Sequence, residues 1–141
     1  MNNDITEDYV SLEVAKLLKE KGFDVFTDAS YTEYLKNTDF NKIGIRFEAD
    51  GIMRGKNSMH YSNKYYYICS APTIYITTKW IRENFGLSIS ATVSTSGKGM
   101  YDIWQNQGEA KGWKMIKSEY GFDSPEAATE AAFLYTFKNL I

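Results

Sequence analysis

Residues 72–86, PTIYITTKWIRENFG, decide the fold, because the stretch carries the marks of two different elements. Six of the nine residues from Thr73 to Ile81 are β-branched. That favours a strand, where branched side chains lie well on a pleated surface. The punctuation favours a helix: Pro72 precedes it, Thr73 can cap the first turn, and Gly86 supplies a stop. Ile74, Thr77, Ile81 and Phe85 also fall at i, i+3, i+7 and i+11, which is one helical stripe. The stretch is therefore read as a helix over 73–85.

Working outward toward the N-terminus, SLEVAKLLKEKG (11–22) gives the clearest helical signal. Val10, Val14, Leu17 and Leu18 share a stripe, Ser11 is a cap, and Gly22 follows the last turn. Acids at Glu7, Asp8 and Glu13 lead and Lys16, Lys19 and Lys21 trail, the order that the helix dipole favours. Residues 23–27 read as a short strand, and SYTEYLKN (30–37) admits a capped helical turn through Ser30 and Glu33. In KIGIRFEADG (42–51), Ile43, Ile45 and Phe47 alternate with Gly44, Arg46 and Glu48, a strand running into a turn. A long polar loop region follows at about 49–63, then the tyrosine run NKYYYICS.

Toward the C-terminus, LSISATVSTSGKGMYDIWQ (87–105) reads as a hairpin turning at SGKG. GWKMIKSEY (112–120) alternates as another strand, with Trp113 and Met115 on one face and Lys117 next in that series. The end, DSPEAATEAAFLYTFKNLI, opens with Ser124 as cap, Pro125 at the first helical position and Glu126 in the first turn. Its expected buried stripe is Ala127, Ala131, Leu134 and Ile141. Three amphipathic helices, about 11–21, 73–85 and 125–140, with strands joined by short polar turns, predict an α+β fold. It is read as a two-layer domain with a mainly antiparallel sheet.

Bulk composition bounds the rest. One domain over 1–141 suits the length. Ile, Leu, Val and Phe supply 31 residues, about 22%, just above the range of disordered chains. Eleven Tyr and three Trp add burial, provided their polar tips find partners. A formal net charge of −2 leaves no global basic footprint for nucleic acid. With one Cys no internal disulfide forms, and MNNDITEDYV lacks both a basic and an apolar leader region. A soluble, cytoplasmic protein with no membrane partner is expected.

Chemistry is constrained by scarcity. His60 and Cys69 are the sole members of their kinds, so no zinc site with several His or Cys ligands forms within one chain, and no cofactor is expected. A His60–Cys69 dyad would need an activated thiol, whereas Cys69 follows Tyr67 and Ile68 in an apolar run. TSGKG misses the phosphate-loop pattern Gly-x-x-x-x-Gly-Lys-Ser/Thr at both ends, with Thr92 in the first glycine position and Gly99 after Lys98. Glu48 and Asp50 form a carboxylate pair, but EADG at a strand end is an ordinary solvated turn. The site candidates left are Arg46, Arg54, Lys56, Tyr61, Tyr65 and Tyr67. Cations beside aromatic planes hold single-stranded nucleic acid, and the same pairing makes protein-binding hot spots. Core packing of the tyrosines is the competing account, and the acidic balance favours protein over nucleic acid.

Two stretches, DYVSLEVAKLLKEKGFD (8–24) and SAPTIYITTKWIRENFGLSI (70–89), resemble small proteins from prophages and mobile elements of gut anaerobes. The ending FDSPEAATEAAFLYTFKNLI (122–141) resembles the closing pattern of the same family. The resemblance implies a helix over 73–85 and an accessory role in such an element; it brings no catalytic residues. SLEVAKLLKEKG is also similar to the opening helix of excisionase-type helix-turn-helix regulators, but FDVFTDA follows without the stripe of a recognition helix. A non-enzymatic accessory protein working through protein contact or self-association is the expectation, with nucleic-acid binding by 46–67 as the alternative.

Overall fold

The computed structural model describes residues 8–34, 43–47, 61–62 and 65–141. The decisive stretch is a helix. α2 spans Ile74–Phe85, and Gly86 ends it with a φ of 64°, a conformation that glycine adopts without penalty. Thr77 and Ile81 of its predicted stripe are buried, while Phe85 is partly exposed. With α1 (Leu12–Glu20) and α3 (Pro125–Asn139), this completes the three helices and the α+β class.

The chain divides into two units, Met1–Ile74 and Tyr75–Ile141. In the first, β1 (Ala29–Tyr34), β2 (Ile43–Phe47), β3 (Tyr61–Ser62) and β4 (Tyr65–Ser70) form an antiparallel sheet of order β2-β1-β4-β3. The segment that admits a helical turn through Ser30 and Glu33 is a strand: Ser30 pairs with both Arg46 and Ser70, and Glu33 with Ile43 and Tyr66. Pairing on both sides overrides the local capping signal. Residues 23–26 are irregular, where a short strand was expected, and Thr27 makes only an isolated bridge. α1 packs against β4. Ser11 caps it as predicted, accepting from the Val14 amide at 3.2 Å. Val10, Val14, Leu18, Phe23, Ala29 and Cys69 make the core, and the Tyr31 hydroxyl donates to the Val10 carbonyl at 2.7 Å. Most of the expected loop at 49–63 lies outside the described residues; Tyr61 and Ser62 pair with Tyr66 and Tyr65.

In the second unit, β5 (Leu87–Val93), β6 (Gly99–Asn106) and β7 (Trp113–Phe122) form an antiparallel meander of order β5-β6-β7, and α3 lies across it. Ser124 caps α3, its hydroxyl accepting from the Ala127 amide at 3.0 Å, with Pro125 in the first turn. The buried stripe is not the expected one. Ala128, Ala132, Phe133, Thr136 and Phe137 are buried, whereas Ala127 is exposed and Ala131, Leu134 and Ile141 are half-buried. In an Ala-rich helix several stripes satisfy the spacing, and the bulk of Phe133 and Phe137 decides which one turns inward. Under α3 lie Leu87, Ile89, Tyr101 and Ile103.

Candidate functional site

Of the six predicted site residues, Arg54 and Lys56 lie outside the described residues, as do His60, Glu48 and Asp50. The backbone register places Arg46 opposite Ser30, Tyr67 opposite Thr32 and Tyr65 opposite Tyr34. β1 is thus the common neighbour of 46, 65 and 67, while Tyr61 sits on β3, one strand further out. Tyr67 is half-buried. Its hydroxyl shares a hydrogen bond with Ser70 Oγ at 2.8 Å, and Lys19 Nζ stands 5.7 Å from its ring centroid. Lys19 also donates to the Ile68 carbonyl at 2.8 Å. The end of α1 is thus joined to Tyr67 by cation–π attraction and to its neighbour Ile68 by a hydrogen bond.

Cys69 is fully buried. Burial pushes its thiol up to about 11, against the opposing charges of Lys19 and Lys16. The thiol stays protonated at neutral pH, which leaves it without the thiolate character that a nucleophile or metal ligand needs. Among the described residues no cluster of three or more His, Cys, Asp or Glu could hold a metal ion. TSGKG forms a hairpin turn. The Ser94 amide, just before it, donates to Lys98 O at 2.7 Å and the Gly97 amide to Ser94 O at 2.9 Å, so two turn amides are consumed internally. Lys98 pairs with Asp123 at 3.6 Å.

The sheet of the second unit holds the feature that the sequence reading missed. Cross-strand pairs put Trp104 opposite Met115, Met100 opposite Tyr120 and Asn106 opposite Trp113. These residues stand on the face away from α3, because Tyr101 and Ile103, the alternate residues of β6, are buried on the α3 side. Trp104 is 37% exposed, Trp113 43%, Met115 47% and Tyr120 79%. Asp102 and Ser118 share the face, opposite each other, and β5 contributes Ser88, Ser90 and Thr92 to it. The result is an aromatic platform edged with hydroxyls and carrying one carboxylate.

A bulge makes this arrangement. Ile103 pairs with Lys117 but Trp104 pairs with Met115, so Ile116 is an extra residue in the ladder. Lys117 therefore leaves the Trp113–Met115 series and turns toward α3, where its Nζ lies 4.9 Å from the Tyr135 ring. It also lies 3.6 Å from Glu119 Oε2, which accepts from the Tyr101 hydroxyl at 2.9 Å. Burial first, and then the Glu119 hydrogen bond and charge, raise the Tyr101 hydroxyl above its ordinary range. Tyr101, Lys117 and Glu119 thus tie the covered face together, and the opposite face keeps its apolar side chains in water. The signal in the sequence was β6 itself: beside Tyr101 and Ile103 on one alternation, MYDIW carries Met100 and Trp104 around Asp102 on the other, more apolar bulk than a sheet covered on one side requires.

Comparison with family models, with curated proteins and with solved structures gives no match to this chain. Among the described residues no helix is long and apolar enough to cross a membrane.

Proposed function

We propose that the chain is a non-enzymatic accessory protein of a phage or mobile element, and that it acts through protein contact made by the open face of the β5–β7 sheet. The observation that carries this reading is the exposure of Trp104, Trp113, Met115 and Tyr120 on one face. Exposed clusters of large apolar side chains, here Trp104, Met115 and Trp113, mark interaction sites, and Trp and Tyr are the side chains that most often dominate interface energetics. The face bears Asp102 and no Lys or Arg on its β6 and β7 positions, which suits a protein surface better than a phosphate backbone. The protonated, buried Cys69 agrees with a role without nucleophilic chemistry. The resemblance of 8–24, 70–89 and 122–141 to prophage proteins supplies the setting.

The test compares wild type with a Trp104→Ser/Trp113→Ser double variant as bait in host lysate and by native mass spectrometry. A partner or assembly held by wild type and lost by the double variant, with unchanged far-UV circular dichroism, supports the reading. Equal retention of a lysate partner by both, or no lysate partner captured by either, overturns it.

A further inference from the structure

The two edges of the β5–β7 sheet are built differently. β7 carries the features that keep a strand edge from pairing: Lys114 and Lys117, the bulge at Ile116, and a second irregularity where Gly99 pairs with Phe122 but Met100 with Tyr120. β5 carries none of them. It pairs with β6 over seven consecutive residues without a register shift, and Leu-Ser-Ile-Ser-Ala-Thr-Val holds no charge, proline or glycine. Among the described residues, no backbone hydrogen bond outside the sheet ladder engages 87–93. A regular, uncharged edge offers unpaired backbone donors and acceptors to another strand.

The pattern of β5 also says which strand. Apolar and hydroxyl residues alternate symmetrically about Ser90, so an antiparallel copy of the strand meets itself in matching chemistry. Leu87 falls opposite Val93, Ser88 opposite Thr92, Ile89 opposite Ala91, and Ser90 opposite Ser90 of the second copy. Hydroxyl pairs of this kind across strands are favourable, and an isologous contact closes on itself. Val93 is 53% exposed on the α3 side of the sheet, whereas Leu87 is 3% exposed. Pairing would set Val93 against the buried end of the neighbouring strand. A one-residue slip would put apolar residues against hydroxyls throughout, so the facing of the two strands is specified, and centring on Ser90 is the register that pairs all seven residues.

We infer that the chain forms a two-fold dimer in which β5 pairs antiparallel with β5 of a second copy about Ser90, making one six-stranded sheet. The inference rests on the reading that this protein works through protein contact or self-association, and names a second copy as the partner at this edge. The six-stranded sheet would carry two aromatic platforms on one face and two α3 helices on the other.

The test uses the full chain. Light scattering and native mass spectrometry are expected to give twice the 16.2 kDa monomer mass at micromolar concentration. Ser90→Lys, which brings two cations together on the axis at an exposed position, is expected to return the monomer with its circular dichroism intact. Opposed Cβ atoms across a strand pair lie near disulfide distance. Ser90→Cys is therefore expected to cross-link under mild oxidation, whereas wild type, whose sole thiol is buried, and Ser118→Cys on β7 are not. Cross-linking of Ser90→Cys keeps the inference testable should Ser90→Lys fail to fold.

A wild-type monomer throughout the micromolar range overturns the dimer, as does a dimer untouched by Ser90→Lys. Equal cross-linking of Ser118→Cys overturns the choice of edge. A monomer whose capture of a foreign strand is abolished by Ser90→Lys overturns the second copy as occupant. Failure here with partner loss still caused by Trp104→Ser/Trp113→Ser leaves the function reading intact; a β5 dimer whose lysate partner is held equally by that double variant keeps the dimer and removes the platform reading.

Discussion

Gly99 has no room for a side chain: a Cβ built on it runs into the carbonyl of Ser124, with Pro125 N close behind. The start of β6 and the cap of α3 pass backbone against backbone there, and both contacts are main chain that cannot swing aside. Gly99→Ala is expected to cost about 1–3 kcal/mol or more, as overpacking does, read as a lowered urea midpoint. Cys69 makes a second prediction at this scale. Its folded thiol titrates at about 11 against an ordinary 9.0, so the fold holds a proton that the unfolded chain releases earlier. The stabilisation is complete below about pH 9 and is lost as the pH rises toward 11. Denaturation midpoints followed from pH 8 to 11 should fall. A thiol reagent at pH 8 should label the native protein far more slowly than the unfolded one.

At the level of elements, α3 separates spacing from bulk. Phe133→Ala is expected to cost about 3–5 kcal/mol, the range for deleting a buried ring. Ala127→Glu, in the stripe that spacing alone selects, should stay within about 0.5 kcal/mol. Equal losses in thermal melts would return the helix to its sequence-based face. The same contrast explains what was readable beforehand. Helix ends were legible, because Ser11, Ser124, Pro125 and Gly86 act locally on the backbone. The facing of α3 was not, because Ala fits either side and only the space above Tyr101 and Ile103 discriminates. β1 was left open, since Ser30 and Glu33 admit a cap until β2 and β4 claim their backbone groups. The bulge at Ile116 hid the platform: simple alternation keeps Lys117 beside Trp113 and Met115, and one extra residue removes it. Of the candidate cations and tyrosines, sequence order suggested a shared segment, while the register shows β1 as the element between 46 and 65–67.

Across the whole molecule, the two sheets differ in how far apart along the chain their partners lie. In the second unit every strand pairs with its immediate successor, through the turns at 94–98 and 107–112. In the first, β1 must find β4, joining Tyr34 to Tyr65 with β2 and β3 between them in sequence. Closing a long loop before any contact rewards it slows folding, and local meanders avoid that delay. All three tryptophans (Trp80, Trp104 and Trp113) belong to 75–141, so indole fluorescence originates in that unit, while far-UV circular dichroism reports both. Stopped-flow refolding should show the fluorescence change leading the circular dichroism change. A single shared rate would mean that the long closure in the first sheet does not limit its formation. The order of strands thus sets a timetable: the second sheet, synthesised after the first, is the first able to complete itself.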